Sequence, residues 1–160
     1  MLNFFNRKPE IEPPWDDNWR LKSLYIECPR GALGTPEFIW VVPHEYKLHL
    51  LTITTNTTCV THLSIAKMTI WIYDGASITH KLNQAGLPSA ATITKNWMNW
   101  DTPVERAVSG EFLVYNLPNN VFLTPGMRIR FWIYNDLSFD YINSVHLTFK
   151  KWDLKPNTAI

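Results

Sequence analysis

Apolar and polar residues alternate with period two along much of this chain. From Met127 onward, Met127, Ile129, Phe131 and Ile133 occupy one set of alternate positions, and Arg128, Arg130, Trp132 and Tyr134 the other. Side chains of an extended strand point to opposite faces in turn, so this stretch predicts a strand with one core face and a second face of unusual composition. Lys67 to Tyr73 repeats the pattern, with Met68, Ile70 and Ile72 set against Thr69, Trp71 and Tyr73. Asp74-Gly75 then supplies a hairpin turn into Ser77 to Leu82. Phe38 to Val42 is a short β-rich run stopped by Pro43, and Tyr46 to Thr57 is a longer one rich in Leu, Ile and Thr. Thr92 to Trp100, Glu111 to Asn116, Asn120 to Leu123 and Asn143 to Trp152 complete the series. Turn residues separate them at Leu87-Pro88-Ser89, Pro118-Asn119-Asn120, Pro125-Gly126 and Asn135-Asp136.

No window of a dozen residues carries a helical stripe, and no repeat of 20 to 50 residues appears. The expectation is an all-β domain of about eight to ten strands, folded as an antiparallel β-sandwich or jelly roll. Ahead of it, Pro9, Pro13 and Pro14 forbid a regular helix, so residues 1–22 read as an extended N-terminal arm and 23–160 as the sandwich. Phe4, Phe5, Trp15 and Trp19 make that arm too aromatic for a solvated tail, and it should lie on its own domain or on a neighbour.

The 160 residues fit one domain with a real core. Fifteen Lys and Arg against 14 Asp and Glu give a net charge of +1, which supplies no basic field for nucleic acid or an anionic membrane. The longest apolar run, Phe38 to Val42, is far short of the roughly 20 residues needed to cross a bilayer. Met1 to Pro9 lacks a signal-peptide core, which predicts a soluble, unprocessed chain made in the cytoplasm. Cys28 and Cys59 have no metal-ligand spacing and read as reduced, buried thiols, with a disulfide as the alternative.

Catalytic motifs are missing from the pattern. His44, His49, His62, His80 and His146 are scattered singly, and no nucleophile elbow, P-loop or dinucleotide fingerprint occurs. Asp101, Glu105 and Glu111 could form a glycosidase pair only if the fold placed two of them together, and otherwise read as solvated surface acids. Asn135, Asp136 and Asp140 hold oxygen ligands of the kind calcium takes, but Leu137, Ser138 and Phe139 break the alternation, and turn capping accounts for them. No enzyme, cofactor or metal is expected.

Two binding readings remain. In Asn96-Trp-Met-Asn-Trp-Asp101, Trp97 or Trp100 could stack on a sugar ring, although their spacing of three turns them to opposite faces and makes one of them core. The second face of the Met127 to Tyr134 strand is either a small second core, covered for instance by the arm, or a subunit interface. Trp, Tyr and Arg are the residue types enriched at interfaces, which makes Arg128, Arg130, Trp132 and Tyr134 the candidate partner-binding residues, with Phe4, Phe5, Trp15 and Trp19 adding area.

Gly34 through Trp152 also resembles the small β-rich structural proteins of tailed bacteriophages. The resemblance is carried by Trp40-Val-Val-Pro43, Lys47-Leu-His-Leu-Leu-Thr-Ile53, Ile70-Trp-Ile-Tyr-Asp74-Gly75, Leu123-Thr-Pro-Gly-Met-Arg-Ile-Arg130, Asp140-Tyr-Ile-Asn-Ser-Val-His-Leu147 and Trp152, in that order. It implies a virion component, a decoration or minor capsid protein that stabilises the capsid, with other virion proteins and copies of itself as partners. A neck or tail part, or a carbohydrate-binding receptor module of the tail, is the alternative. This chain departs from that family pattern in its greater number of Trp and its longer aromatic arm.

Overall fold

The computed structural model describes residues 15–29, 37–59, 67–82, 84–87, 91–98, 114–134 and 141–154. Eleven strands and no helix occur among them. In chain order they are β1 (Arg20–Glu27), β2 (Glu37–Val41), β3 (Tyr46–Cys59), β4 (Lys67–Asp74), β5 (Ser77–Lys81), β6 (Ala85–Gly86), β7 (Ala91–Met98), β8 (Val114–Asn116), β9 (Phe122–Leu123), β10 (Arg128–Tyr134) and β11 (Tyr141–Asp153).

Two sheets pack face to face. The first runs β1-β11-β3-β7-β8 with β9 also on β3, and the second runs β2-β10-β4-β5 with β6 also on β4. All pairings are antiparallel except β7 with β8. The result is a β-sandwich, as the alternation predicts. β1 was not among the expected strands. Its period-two signal is blurred because, at the sheet edge, Leu21 and Tyr25 remain 63% exposed while Lys22 takes an inward position beside Leu24 and Ile26. The first sheet therefore opens at Arg20, three residues inside the range read as arm.

The turns follow their residues. Gly75 has φ 60° at the first central position of the β4–β5 hairpin, where the primed two-residue turns need the left-handed backbone that glycine adopts freely. Gly126 has φ 88° behind Pro125, and the Met127 amide donates to the Thr124 carbonyl at 3.1 Å, as a type II turn requires. That turn sets β10 beside β2, where the Val42 amide bonds the Met127 carbonyl at 2.9 Å.

The core lies between the sheets. From the second come Trp40, Met68, Ile70, Ile72, Ile129, Phe131 and Ile133, and from the first Leu48, Leu50, Ile53, Trp97, Val145, Leu147 and Phe149. Trp40 of β2 meets Phe149 of β11 across the layers at 6.1 Å. On β3 the inward residues switch from Leu48 and Leu50 to Ile53, Thr55 and Thr57, because a register shift against β11 adds one residue near Leu51. Cys28 is a free, buried thiol, and burial pushes its pKa up to about 11, which keeps it protonated and inert.

Candidate interaction surface

The two faces of β10 differ as the alternation requires. Ile129 and Phe131 are fully buried and Ile133 nearly so, whereas Arg128, Arg130 and Trp132 are only partly covered. β10 sits between β2 and β4, so its outward side chains acquire neighbours from both. Arg128 stands opposite Val41 and Tyr73, Arg130 opposite Ile39 and Trp71, and Trp132 opposite Glu37 and Thr69.

These neighbours interlock. The Arg130 guanidinium lies 4.1 Å over the Trp132 ring, and Trp132 meets Trp71 edge to face at 4.8 Å. Lys81 of β5 caps the other side of Trp71 at 4.6 Å. Arg128 lies 5.5 Å over Tyr73 and donates from Nη2 to the Gly75 carbonyl at 2.8 Å. Arg130 Nη2 donates to Glu37 Oε2 at 2.7 Å. Each cation–π contact at such a partly wet site is worth about 0.5–1 kcal/mol, so together they hold the layer in one arrangement. Around it Ile39 is 42% exposed, Val41 50% and Ile78 39%. The outer face of the second sheet is thus an ordered aromatic and cationic layer bordered by open aliphatic side chains.

The arm residues lie elsewhere. Trp15 packs on Trp152 at 4.9 Å and on Phe122 at 5.6 Å, with Lys47 above its ring at 4.5 Å. The Trp152 indole donates to the Asp16 carbonyl at 2.7 Å, and Lys150 lies 4.4 Å over Trp19. Trp15 therefore closes a satellite core on the outer face of the first sheet, within its own chain, while Trp19 stays 40% exposed beside Lys150, and the arm's described end does not cover Trp132. Of the remaining partner-binding residues, Phe4 and Phe5 lie outside the described residues. Tyr134 pairs with Lys67 at the end of β10, and its side chain lies outside the described set.

Trp97 is fully buried and stacks on Tyr115 at 5.3 Å, so it cannot offer a face to a sugar. Trp100 lies outside the described residues, as do Asp101, Glu105, Glu111 and the Asn135, Asp136 and Asp140 loop. Among the described residues no three His, Cys, Asp or Glu come together as metal ligands. Ser23 Oγ and His146 Nε2 share a hydrogen bond on the outer face of the first sheet, but among the described residues no carboxylate bonds His146 to orient it as a base.

His49 sits in the satellite core against Phe122 at 4.5 Å. Its Nε2 donates to the Asn119 carbonyl at 2.7 Å, which leaves Nδ1 buried without a partner. Burial lowers its pKa from the ordinary 6.5, over the opposing effect of the Asn119 bond, and the Lys150 charge adds to the lowering. The unfolded chain then takes up the proton first, so this contribution to stability is complete above pH 6.5 and is lost as pH falls through the folded value. His80 is shifted the same way, by burial. Urea midpoints should fall on acidification, and His49→Gln should lessen the slope.

Glu37, Ile39 and Lys81 belong to this surface and were not singled out from the sequence. Period two placed Trp71 and Tyr73 on a second face, but the registers that bring Glu37 and Ile39 to β10 join residues some ninety positions apart. The fold and the surface define a class, a two-sheet sandwich with one ordered, half-exposed aromatic and arginine face. No family model and no curated protein matches the chain.

Proposed function

We propose that the protein is a non-enzymatic structural component of a bacteriophage virion, a decoration or minor capsid protein that docks on the capsid and on copies of itself through the outer face of its second sheet. The observation that carries this reading is the layer of Trp71, Tyr73, Arg128, Arg130 and Trp132, backed by core and left half-exposed with Ile39, Val41 and Ile78 beside it. Those residue types dominate interface energetics, and held in place by their neighbours they lose little freedom on binding. The virion setting rests on the order of strand and turn segments between Gly34 and Trp152. In a repeated lattice, weak contacts of this kind add through multivalency.

Trp132 packs edge to face on Trp71 and carries the Arg130 guanidinium on its ring, so it ties the layer together. Replacing it with alanine should weaken assembly by about 2 kcal/mol or more, as loss of a central hot spot does. Light scattering over a concentration range would register this as a shift of the oligomer to higher concentration, with circular dichroism checking the fold. A folded Trp132→Ala protein that assembles like the wild type would remove the face from the proposal. Mass spectrometry of purified particles tests the virion setting separately.

A further inference from the structure

A cavity of about 280 Å³ opens within this face, lined by Glu37, Ile39, Tyr73, Arg128 and Arg130. We propose that it seats one carboxylate, an Asp or Glu side chain presented by a partner protein, gripped between the Arg128 and Arg130 guanidinium groups. This deepens the docking reading and rests on it.

Charge is the first argument. Two guanidinium groups and one carboxylate line the cavity, which leaves it one positive charge in excess. Arg130 already holds Glu37, but Arg128 is bonded only to the neutral carbonyl of Gly75, and among the described residues no acid lies within ion-pair distance of it. The cavity therefore has more donors than acceptors, and a singly charged acceptor balances it. A phosphate, carrying close to two charges, would meet the repulsion of Glu37.

Geometry and size narrow the ligand further. A planar guanidinium fork matches a carboxylate in two parallel hydrogen bonds. Both forks are pre-set, one on the Trp132 ring and the other on Tyr73. Small-molecule sites commonly occupy roughly 300–1,000 Å³, so this cavity suits a single side chain better than a sugar acid with its ring substituents. Exposed Ile39 and Val41 beside it would receive the apolar neighbours of that acid.

The test titrates the full chain calorimetrically with the capped peptide Leu-Glu-Leu, its Leu-Gln-Leu counterpart, inorganic phosphate and N-acetylneuraminic acid. Saturable binding of Leu-Glu-Leu is expected, weaker by roughly tenfold or more for the Gln peptide and for Arg128→Gln, the loss that goes with one charge-assisted hydrogen bond. Arg128→Lys, which keeps the charge and loses the fork, should fall between. No saturation by Leu-Glu-Leu, equal binding of the two peptides, or tighter binding of phosphate or the sugar acid would overturn the proposal. If Arg128→Gln leaves the peptide affinity unchanged while Trp132→Ala weakens assembly, the carboxylate seat is wrong and the docking face stands. If the peptide result holds while Trp132→Ala assembles normally, the seat stands and the docking reading fails.

Discussion

Replacing Phe131 with alanine should lower the unfolding free energy by about 3–5 kcal/mol, the usual cost of removing a fully buried aromatic ring. Phe131 is one of the largest side chains with no exposure, stands opposite both Phe38 and Ile70, and stacks on Phe38 at 6.1 Å. Its neighbours are strand residues held by ladders on both sides and cannot collapse into the space. The adjacent Trp132→Ala should cost far less stability, because it forfeits one edge-to-face contact of about 0.5–1.5 kcal/mol and one cation–π contact. Chemical denaturation of the two variants side by side would check this. Equal losses would mean that the outer layer of β10 is as much core as the inner one.

Trp97→Ala should be equally damaging, by about 3–5 kcal/mol. The ring has no exposure, stands opposite Ile53 at the centre of the first sheet and stacks on Tyr115 of β8, the strand that closes that edge. Because β8 is a three-residue strand joined among the described residues only by parallel pairing to β7, loss of the ring should loosen it first. Hydrogen exchange should then quicken at Tyr115 ahead of the β3–β11 ladder. A Trp97→Ala protein with wild-type stability would mean that the ring is not the packing element its burial indicates.

The fold was legible where period two and turn chemistry agreed. Met68, Ile70 and Ile72, with Gly75 behind them, specify a strand, its inward face and its hairpin within ten residues. Met127 to Tyr134 gave both faces of β10 correctly, since alternation is a local property of the extended chain. β1 was hidden because on this edge strand Leu21 and Tyr25 point out while Lys22 points in, which mixes the pattern, and β6 because two residues carry no period at all. The spacing of Trp97 and Trp100 pointed to at least one of them as core, and the register of β7 against β3 makes Trp97 so, opposite Ile53. The same limit applied to the surface. Arg128, Arg130 and Trp132 were visible as an anomaly on one strand, whereas Glu37, Ile39 and Lys81 joined them only through pairings set by distant segments. Of the arm's four aromatics only Trp15 and Trp19 lie among the described residues, and only tertiary contacts could place Trp15 on Trp152 rather than on Trp132.

The strand order also fixes the sequence of events during synthesis. Among the described residues β1 pairs only with β11, β2 only with β10, and β3 with β7, β9 and β11, so the first three described strands have none of their ladders available when they emerge. Among the described pairings the β4–β5 hairpin closes over the shortest stretch of chain. Ile53 can pair with Trp97 once β7 is made and Leu48 with Leu123 once β9 is made, but the long β3–β11 ladder, with Leu50 opposite Phe149, waits for β11. Such non-local topologies fold in about milliseconds to seconds, and the interval before closure is when unpaired strands are most open to aggregation. β11 thus acts as a timing element as well as a structural one, since among the described residues β1 is joined to β3 only through it.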